Sequence, residues 1–385
     1  MSDREPGVDL QEPTEPERVI REDAPGSNVA IAGLRLVASL IIPVVGFFVL
    51  YWAFDFLRDQ EANRVLLVIV ALVVGVFGIF GLYLAMDRVV NRLPENVQEA
   101  VRPYVFVGPA LVLLAVFLVY PALRTIWISF LDASGEEWVG LENYGFVFTD
   151  EEMVRSIRNT IGWIIIVPAV SVSIGLLFAW LVDKLRRGEA FAKSMIFLPM
   201  AISFVGASIV WRFVYSFRPE GFGEQIGLLN GIWTGLGFEP VSWLLSEPWN
   251  NLLLMVIMVW LQTGFAMVIL SAAIKAVPDD ILEAARIDGA TETQVFWRVV
   301  FPSIMSSIVV VTTTMVITVM KVFDIVFVMT TGQFGTEVIA ERMIRWFFRF
   351  GHDGRGAAVA VVLFLAIIPI MLINVRRFRA EEAIR

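Results

Sequence analysis

Ionisable groups inside apolar runs are the first candidates for chemistry in this chain, because a charge in a low-dielectric stretch is costly and marks function. Lys321 and Asp324 stand three apart in the apolar run 304–330, on one helical face where they can pair, and Thr318 lies three residues earlier on that face. The bland alternative is a buried pair that fixes helix packing. In 250–274, Gln262 and Thr263 interrupt the apolar run beside Trp260 and Phe265. Ser203 in 194–217 is a further polar group of this kind. Aromatic faces combined with hydrogen-bonding side chains near mid-span suit a hydroxyl-rich solute such as a sugar.

Bond-breaking chemistry lacks its parts. Cysteine is absent, which removes disulfides and thiolate metal ligands. The one histidine, His352, sits beside Asp353 in an Arg-rich segment and reads as a solvated surface residue, so neither a multi-His metal site nor a triad is expected. Lysine occurs only at 184, 193, 275 and 321, and none follows a glycine-rich phosphate loop. The chain therefore reads as no enzyme, with no cofactor of its own. If ATP drives its work, ATP and Mg belong to a separate ATPase chain.

The elements that position these residues are membrane helices. Hydrophobic residues make up 57% of the chain and mean hydropathy is +0.74, yet 18% of residues are charged, so charge is concentrated between apolar runs. A span needs about 20 apolar residues. Runs of that kind occur at 30–54, 65–86, 103–130, 158–182, 194–217, 250–274, 304–330 and 355–376, which predicts an all-α membrane protein with about eight spans. With the N-terminus inside, the inner segments carry more than twice the Lys and Arg of the outer ones, which predicts both termini in the cytoplasm. The outer segment 331–354, with Arg342, Arg345 and Arg349, is the misfit. The outer segment 131–157 is acidic, and 218–249 holds Trp233, Trp243 and Trp249 as belt or docking residues. Residues 1–29, rich in Glu, Asp, Pro and Gly, read as a disordered cytoplasmic tail. Residues 30–102 read as a transmembrane hairpin with a basic connector, and 103–385 as the main domain. The net charge of −8 arises largely in the tail and outer loops and points to no nucleic-acid partner.

One segment reads as a docking device: Glu283 to Pro302, EAARIDGATETQVFWRVVFP. Pro278, Asp279 and Asp280 form a helix start, and Gly289 offers a left-handed stop. The stretch resembles the EAA loop of permeases from binding-protein-dependent ABC importers. Glu283, Ala284, Ala285, Gly289 and Pro302 match that pattern in identity and spacing, while Val299 and Phe301 replace its usual Ile and Leu. Residues 197–215, 272–290 and 354–365, together with Phe323, Asp324 and Thr330, resemble the carbohydrate-uptake branch. The turn Thr331-Gly332-Gln333-Phe334 departs from its usual T-x-G-G-P.

The resemblance implies a type I importer permease core of six spans preceded by two extra ones, as in the larger permease of the maltose importer. That subunit's large insertion between its third and fourth spans has no counterpart in the short interval here. The loop 276–303 would dock the ATPase through Glu283, Ala284, Ala285, Asp288 and Gly289, with Glu283 pairing with an arginine of the ATPase. Alignment places Leu261, Gln262 and Phe265 where family members contact sugar. The implied partners are a second permease, a homodimeric cytoplasmic ATPase, an extracytoplasmic sugar-binding protein, an oligosaccharide or α-glucoside, and the lipid bilayer of the inner membrane. The alternatives are the same importer class for a polyamine or glycerol phosphate, or a secondary transporter, which would need carboxylates in several spans.

Overall fold

A computed structural model describes residues 48, 51–53, 55–58, 64–91, 95–185 and 187–382. The expected tail 1–29 and nearly all of the expected span 30–54 lie outside the described residues. What is described is predominantly helical, and its β structure is a single antiparallel bridge between Leu131 and Trp138. The chain divides into two compact units, Met1–Tyr120 and Pro121–Arg385.

In the first unit, α1 (Arg64–Val73) passes through a π-helical turn, Val74–Gly78, into α2 (Ile79–Val90), and α3 (Glu95–Leu114) follows. No residue of α1 is buried, as suits an apolar helix whose surroundings are lipid. The basic connector is organised by Asn91. Its Oδ1 accepts from Gln98 at 2.9 Å and Arg102 at 3.0 Å, and its amide donates to Asp87 at 3.0 Å.

Next in the chain come α4 (Tyr120–Ile128), α5 (Glu142–Thr149), α6 (Glu151–Val182), α7 (Glu189–Phe197), α8 (Phe204–Val214), α9 (Leu228–Gly235) and α10 (Trp249–Lys275). These lead to α11 (Asp279–Ile287), α12 (Glu292–Val295), α13 (Phe301–Ser303), α14 (Met305–Met320), α15 (Asp324–Thr330), α16 (Ile339–Ile344) and α17 (Asp353–Glu382). The second unit is built on α6 against α10. Trp163, Leu254, Ile257, Met258 and Leu261 form one buried cluster, and Leu176, Ala266, Leu270, Val311 and Met315 belong to a second. The close approach depends on Gly175, where a Cβ would lie 2.5 Å from Ala266 Cβ and 2.9 Å from the Met267 nitrogen. Small residues at such crossings let membrane helices gain dispersion contacts in place of a hydrophobic driving force.

Four helices among the described residues are long and apolar enough to cross a membrane: Ala110–Ile128, Glu151–Val182, Trp249–Lys275 and Asp353–Leu372. Two bent pairs, Glu189–Ala201 with Phe204–Val214 (99°) and Glu292–Ser303 with Met305–Met320 (66°), raise the number to six. The expected count of eight is thus not reached by the described residues. Of the two N-terminal spans, one lies outside them, and the other is divided so that Arg64–Gly78 falls short of a span. The bends follow Pro199 and Pro302, whose rings cannot continue the helical hydrogen-bond ladder. The expected run 304–330 is also interrupted. α14 ends at Met320, and α15 begins only at Asp324. The interruption leaves Lys321 exposed.

Candidate functional site

Four of the seven residues expected along a solute path come together. Leu261, Gln262 and Phe265 of α10 and Thr318 of α14 line one cavity of about 250 Å³, with Met200, Phe204, Thr314 and Met315. Helical spacing explains the set: Leu261 and Phe265 are four apart, as are Thr314 and Thr318, so each pair shares a face. Leu261 is buried, while Met200 and Thr314 are exposed, so the cavity opens to the outside of the subunit. Gln262 is the informative member. It is 8% exposed, it reaches the cavity, and no described residue hydrogen-bonds its side chain. A buried amide with unused donors and acceptors is costly unless something polar completes it. The Thr318 hydroxyl donates to the Thr314 carbonyl at 3.0 Å and keeps its lone pairs.

The other three residues lie elsewhere. Ser203 is the N-cap of α8, and its hydroxyl accepts from the Gly206 N–H at 3.1 Å, so it shapes the 99° bend beside the cavity. Lys321 and Asp324 form no ion pair: the helix that was to place them on one face ends between them. Asp324 instead occupies the first turn of α15, where a carboxylate complements the helix dipole. Thr263, read as a polar interruption, bonds back to the Val259 carbonyl at 2.7 Å and is outside the cavity lining.

The second candidate region is α11, which leaves α10 after only Ala276 to Pro278. Pro278 precedes it with ψ 135°, Asp279 and Asp280 fill its first turn, and Arg286 lies in its last. Its end is a full Schellman motif. Gly289 has φ +83°, its N–H bonds the Arg286 carbonyl at 3.0 Å, and the Ala290 N–H bonds the Ala285 carbonyl at 3.1 Å. Thr291 and Gln294 then form a capping box for α12. α11 itself has two faces. Leu282 and Ala285 turn inward onto the second core cluster, whereas Glu283, Ala284, Asp288 and Gly289 are exposed. Ile287, which sequence reasoning passed over, is 79% exposed. Its signal was available: a β-branched apolar residue three after Ala284 on the same face. Arg286 bonds Glu292 at 2.8 Å, which leaves Glu283 without an ion-pair partner among the described residues.

The base beneath α11 is an ionic cluster. Lys193 Nζ lies 2.6 Å from Asp183 and 2.7 Å from Glu189, and also meets the Ser271 hydroxyl; Lys275 pairs with Glu189. Ends of α6, α7 and α10 are thereby tied at the point from which α11 departs.

At the opposite ends of α6 and α10 lies the segment 331–354. Asn159 donates to the carbonyls of Gly335 at 2.7 Å and Glu337 at 2.9 Å, and Asn250 donates to that of Phe334 at 2.7 Å. Thr331 and Phe334 are left-handed at φ 52° and 57°, a strained geometry held by these bonds. Arg342 pairs with Glu152 at 2.5 Å and Arg345 with Glu341 at 2.6 Å. Burial pushes the Glu341 carboxyl above the usual carboxylate range, against the pull of Arg345. Nearby, the Glu136 N–H and other donors of its loop hold Asp132 down to about 2. His352, expected to be solvated, is half-buried. Its Nδ1 accepts from the Arg355 N–H at 3.2 Å, its ring meets Trp346 edge-on, and burial together with Arg355 lowers its pKa.

Residues 171–378 match the family described as "Binding-protein-dependent transport system inner membrane component". The osmoprotective compounds uptake permease protein GgtC of Synechocystis sp. is 56% identical over 280 residues, covering 73% of this chain and all of that protein. The alpha-glucoside transport system permease protein AglF of Rhizobium meliloti is 48% identical over 288 residues, 74% of this chain and 85% of that one. Among solved structures, a chain of a bacterial ABC transporter that imports the acidic polysaccharide alginate superposes with a TM-score of 0.65 at 20% identity. It covers 74% of this chain and 99% of that chain, a likeness of fold.

Proposed function

Because the chain belongs to the family of binding-protein-dependent transport system inner membrane components, we propose that it is the permease subunit of an ATP-driven sugar importer, its solute an oligosaccharide or α-glucoside. It is a multi-pass inner-membrane protein and a transport subunit without catalysis of its own. The alpha-glucoside permease and the osmoprotectant permease among its relatives support the solute class.

The single observation that carries the mechanism is the direct continuation of α10, which presents Gln262 to the cavity, into α11, which presents Glu283 and Ile287 to the outside. Only Ala276 to Pro278 separate the two helices, so a partner that grips α11 also acts on α10. The partner is a homodimeric cytoplasmic ATPase that carries ATP and Mg; Glu283 meets a cation of that subunit, Ala284 allows close approach, Asp288 adds a contact at the rim, and Gly289 lets the chain leave the cleft. Both termini are then cytoplasmic, with 1–29 a tail, 30–102 an N-terminal hairpin and connector, and 103–385 the permease domain. A second permease completes the cavity, whose volume of about 250 Å³ is below the roughly 300–1,000 Å³ of a complete ligand pocket. An extracytoplasmic sugar-binding protein delivers solute at the 331–354 end.

The test is uptake by proteoliposomes holding this chain, its second permease and the ATPase. Import of a labelled α-glucoside that requires both internal ATP and the loaded binding protein supports the reading. Uptake driven by a proton gradient without ATP overturns it in favour of a secondary transporter.

A further inference from the structure

A groove of about 450 Å³ runs along the outside of α6 and faces the segment that follows α11. Its wall is almost wholly apolar and includes Pro168, Leu176, Trp180, Trp297, Phe301 and Ile308. At one end Trp180 meets Phe296 at 5.1 Å, Phe296 meets Trp297 at 5.2 Å and Trp297 meets Phe301 at 5.1 Å, so an aromatic ladder closes that end. Above it lies a cation: Lys184 Nζ stands 3.6 Å from the centroid of the Trp180 ring. Arg298, exposed and without an ion-pair partner among the described residues, lies on the same π-helical segment as Phe296 and Trp297. Glu292 is within electrostatic range of Lys184 but is held by Arg286 at 2.8 Å, so it does not neutralise the lysine fully.

We propose that this groove binds one acyl chain of an anionic phospholipid, with Lys184 and Arg298 taking the phosphate of the headgroup. Two features select that occupant. From Pro168 to Trp180 the groove extends about 18 Å at 1.5 Å per residue, close to the ~15 Å of hydrocarbon in one leaflet. Tryptophan and lysine meet at one end, where the exposed Arg298 follows Trp297 in the chain, as at a membrane–water boundary, and basic pockets between helices on that side take anionic headgroups. The lipid touches the π-helical segment Phe296–Val300, through which α11 and α12 are joined to α14. Occupancy therefore stiffens the connection between the docking helix and the cavity. The assignment to the inner leaflet rests on the proposed orientation; the binding itself does not.

The experiment uses the whole importer complex purified in detergent, with bound lipid counted by native mass spectrometry after exchange against mixed phosphatidylglycerol and phosphatidylcholine. The wild type is expected to retain phosphatidylglycerol selectively. Lys184→Ala and Arg298→Ala should each weaken that retention about fivefold, the equivalent of about 1 kcal/mol per cation near the headgroups. Thr312→Trp, which fills the groove and leaves both cations in place, should abolish retention of the lipid. Equal retention of both lipids by the wild type overturns the proposal, as does retention unaffected by Thr312→Trp. A photo-crosslinker at Trp297 that captures the second permease instead of lipid also overturns it. Because lipid is counted without transport, a failed solute assignment leaves this result standing, and the reverse.

Discussion

At the end of the second unit that carries α16, Glu341 and Arg342 are each only 2% exposed and both sit in ion pairs; at the α11 end, Glu283 and Asp288 are exposed and Ile287 is 79% exposed. The first arrangement uses charge to fix a shape. Removing one member of a buried pair leaves the other desolvated, so Arg345, which meets both Glu341 and the Thr331 carbonyl, holds the strained turn in place, while Arg342 ties α16 to Glu152 of α6. The second arrangement uses no charge at Glu283 for its own fold: Leu282 and Ala285 seat α11 on the core, the turn at Gly289 ends it, and its other face is exposed.

The largest expected effect is at the unpartnered end. Glu283→Ala should lower ATP-coupled uptake at least tenfold with insertion and melting temperature nearly unchanged, because no fold contact of Glu283 is lost, and Gly289→Val should lower uptake with insertion intact. The glycine variant forces a β-branched residue into φ +83° and misdirects α12. Normal uptake by either variant would remove α11 from the coupling path. At the opposite end the effect should appear in stability. Arg345→Met should cost about 3–5 kcal/mol, read as loss of thermal stability in detergent, and Glu341→Gln in addition should restore part of it. Strict additivity of the two would show that they do not act as a buried pair.

Between the ends, Gln262→Leu should leave the melting temperature within experimental error and shift solute preference or uptake, since its amide serves no internal bond. Unaltered uptake of every solute tested would take Gln262 off the path. A smaller effect concerns pH. The folded pKa of His352 is lowered, so its contribution is present above the unfolded value near 6.5 and is lost as pH falls through it. Lowering pH from about 7.5 to about 5.5 should destabilise the wild type more than His352→Gln, a difference that differential scanning fluorimetry can measure. The smallest effect is expected at Arg286→Ala, whose pair with Glu292 is half-exposed and should contribute about 0.2–1 kcal/mol.

The helix α11 was legible because its signals are local. Pro278, Asp279, Asp280 and Gly289 set its ends without help from tertiary structure, and the sequence places its start and its left-handed stop where they occur. The cavity was half legible. Gln262 announced itself by interrupting an apolar run, but Met200 and Phe204 come from a helix that folds back at a 99° bend, which an unbroken apolar profile conceals. Thr314 was hidden among three consecutive threonines that back-bond to their own helix. Lys321 and Asp324 misled for a related reason. Their spacing implies a shared face only on a continuous helix, and α14 ends before Lys321. The role of Ser203 as a cap was likewise tertiary in origin, because it depends on where the bend falls.

The absence of cysteine makes the most direct test clean. A single cysteine at Ile287, introduced as Ile287→Cys and coupled to a short bifunctional crosslinker, reports what lies against the exposed face of α11 in native membranes. The account predicts an adduct between this chain and the ATPase subunit whose yield changes when ATP is bound, and no such adduct from Phe348→Cys at the opposite end. No adduct from position 287, or an equal one from position 348, would contradict the assignment of α11 as the docking helix.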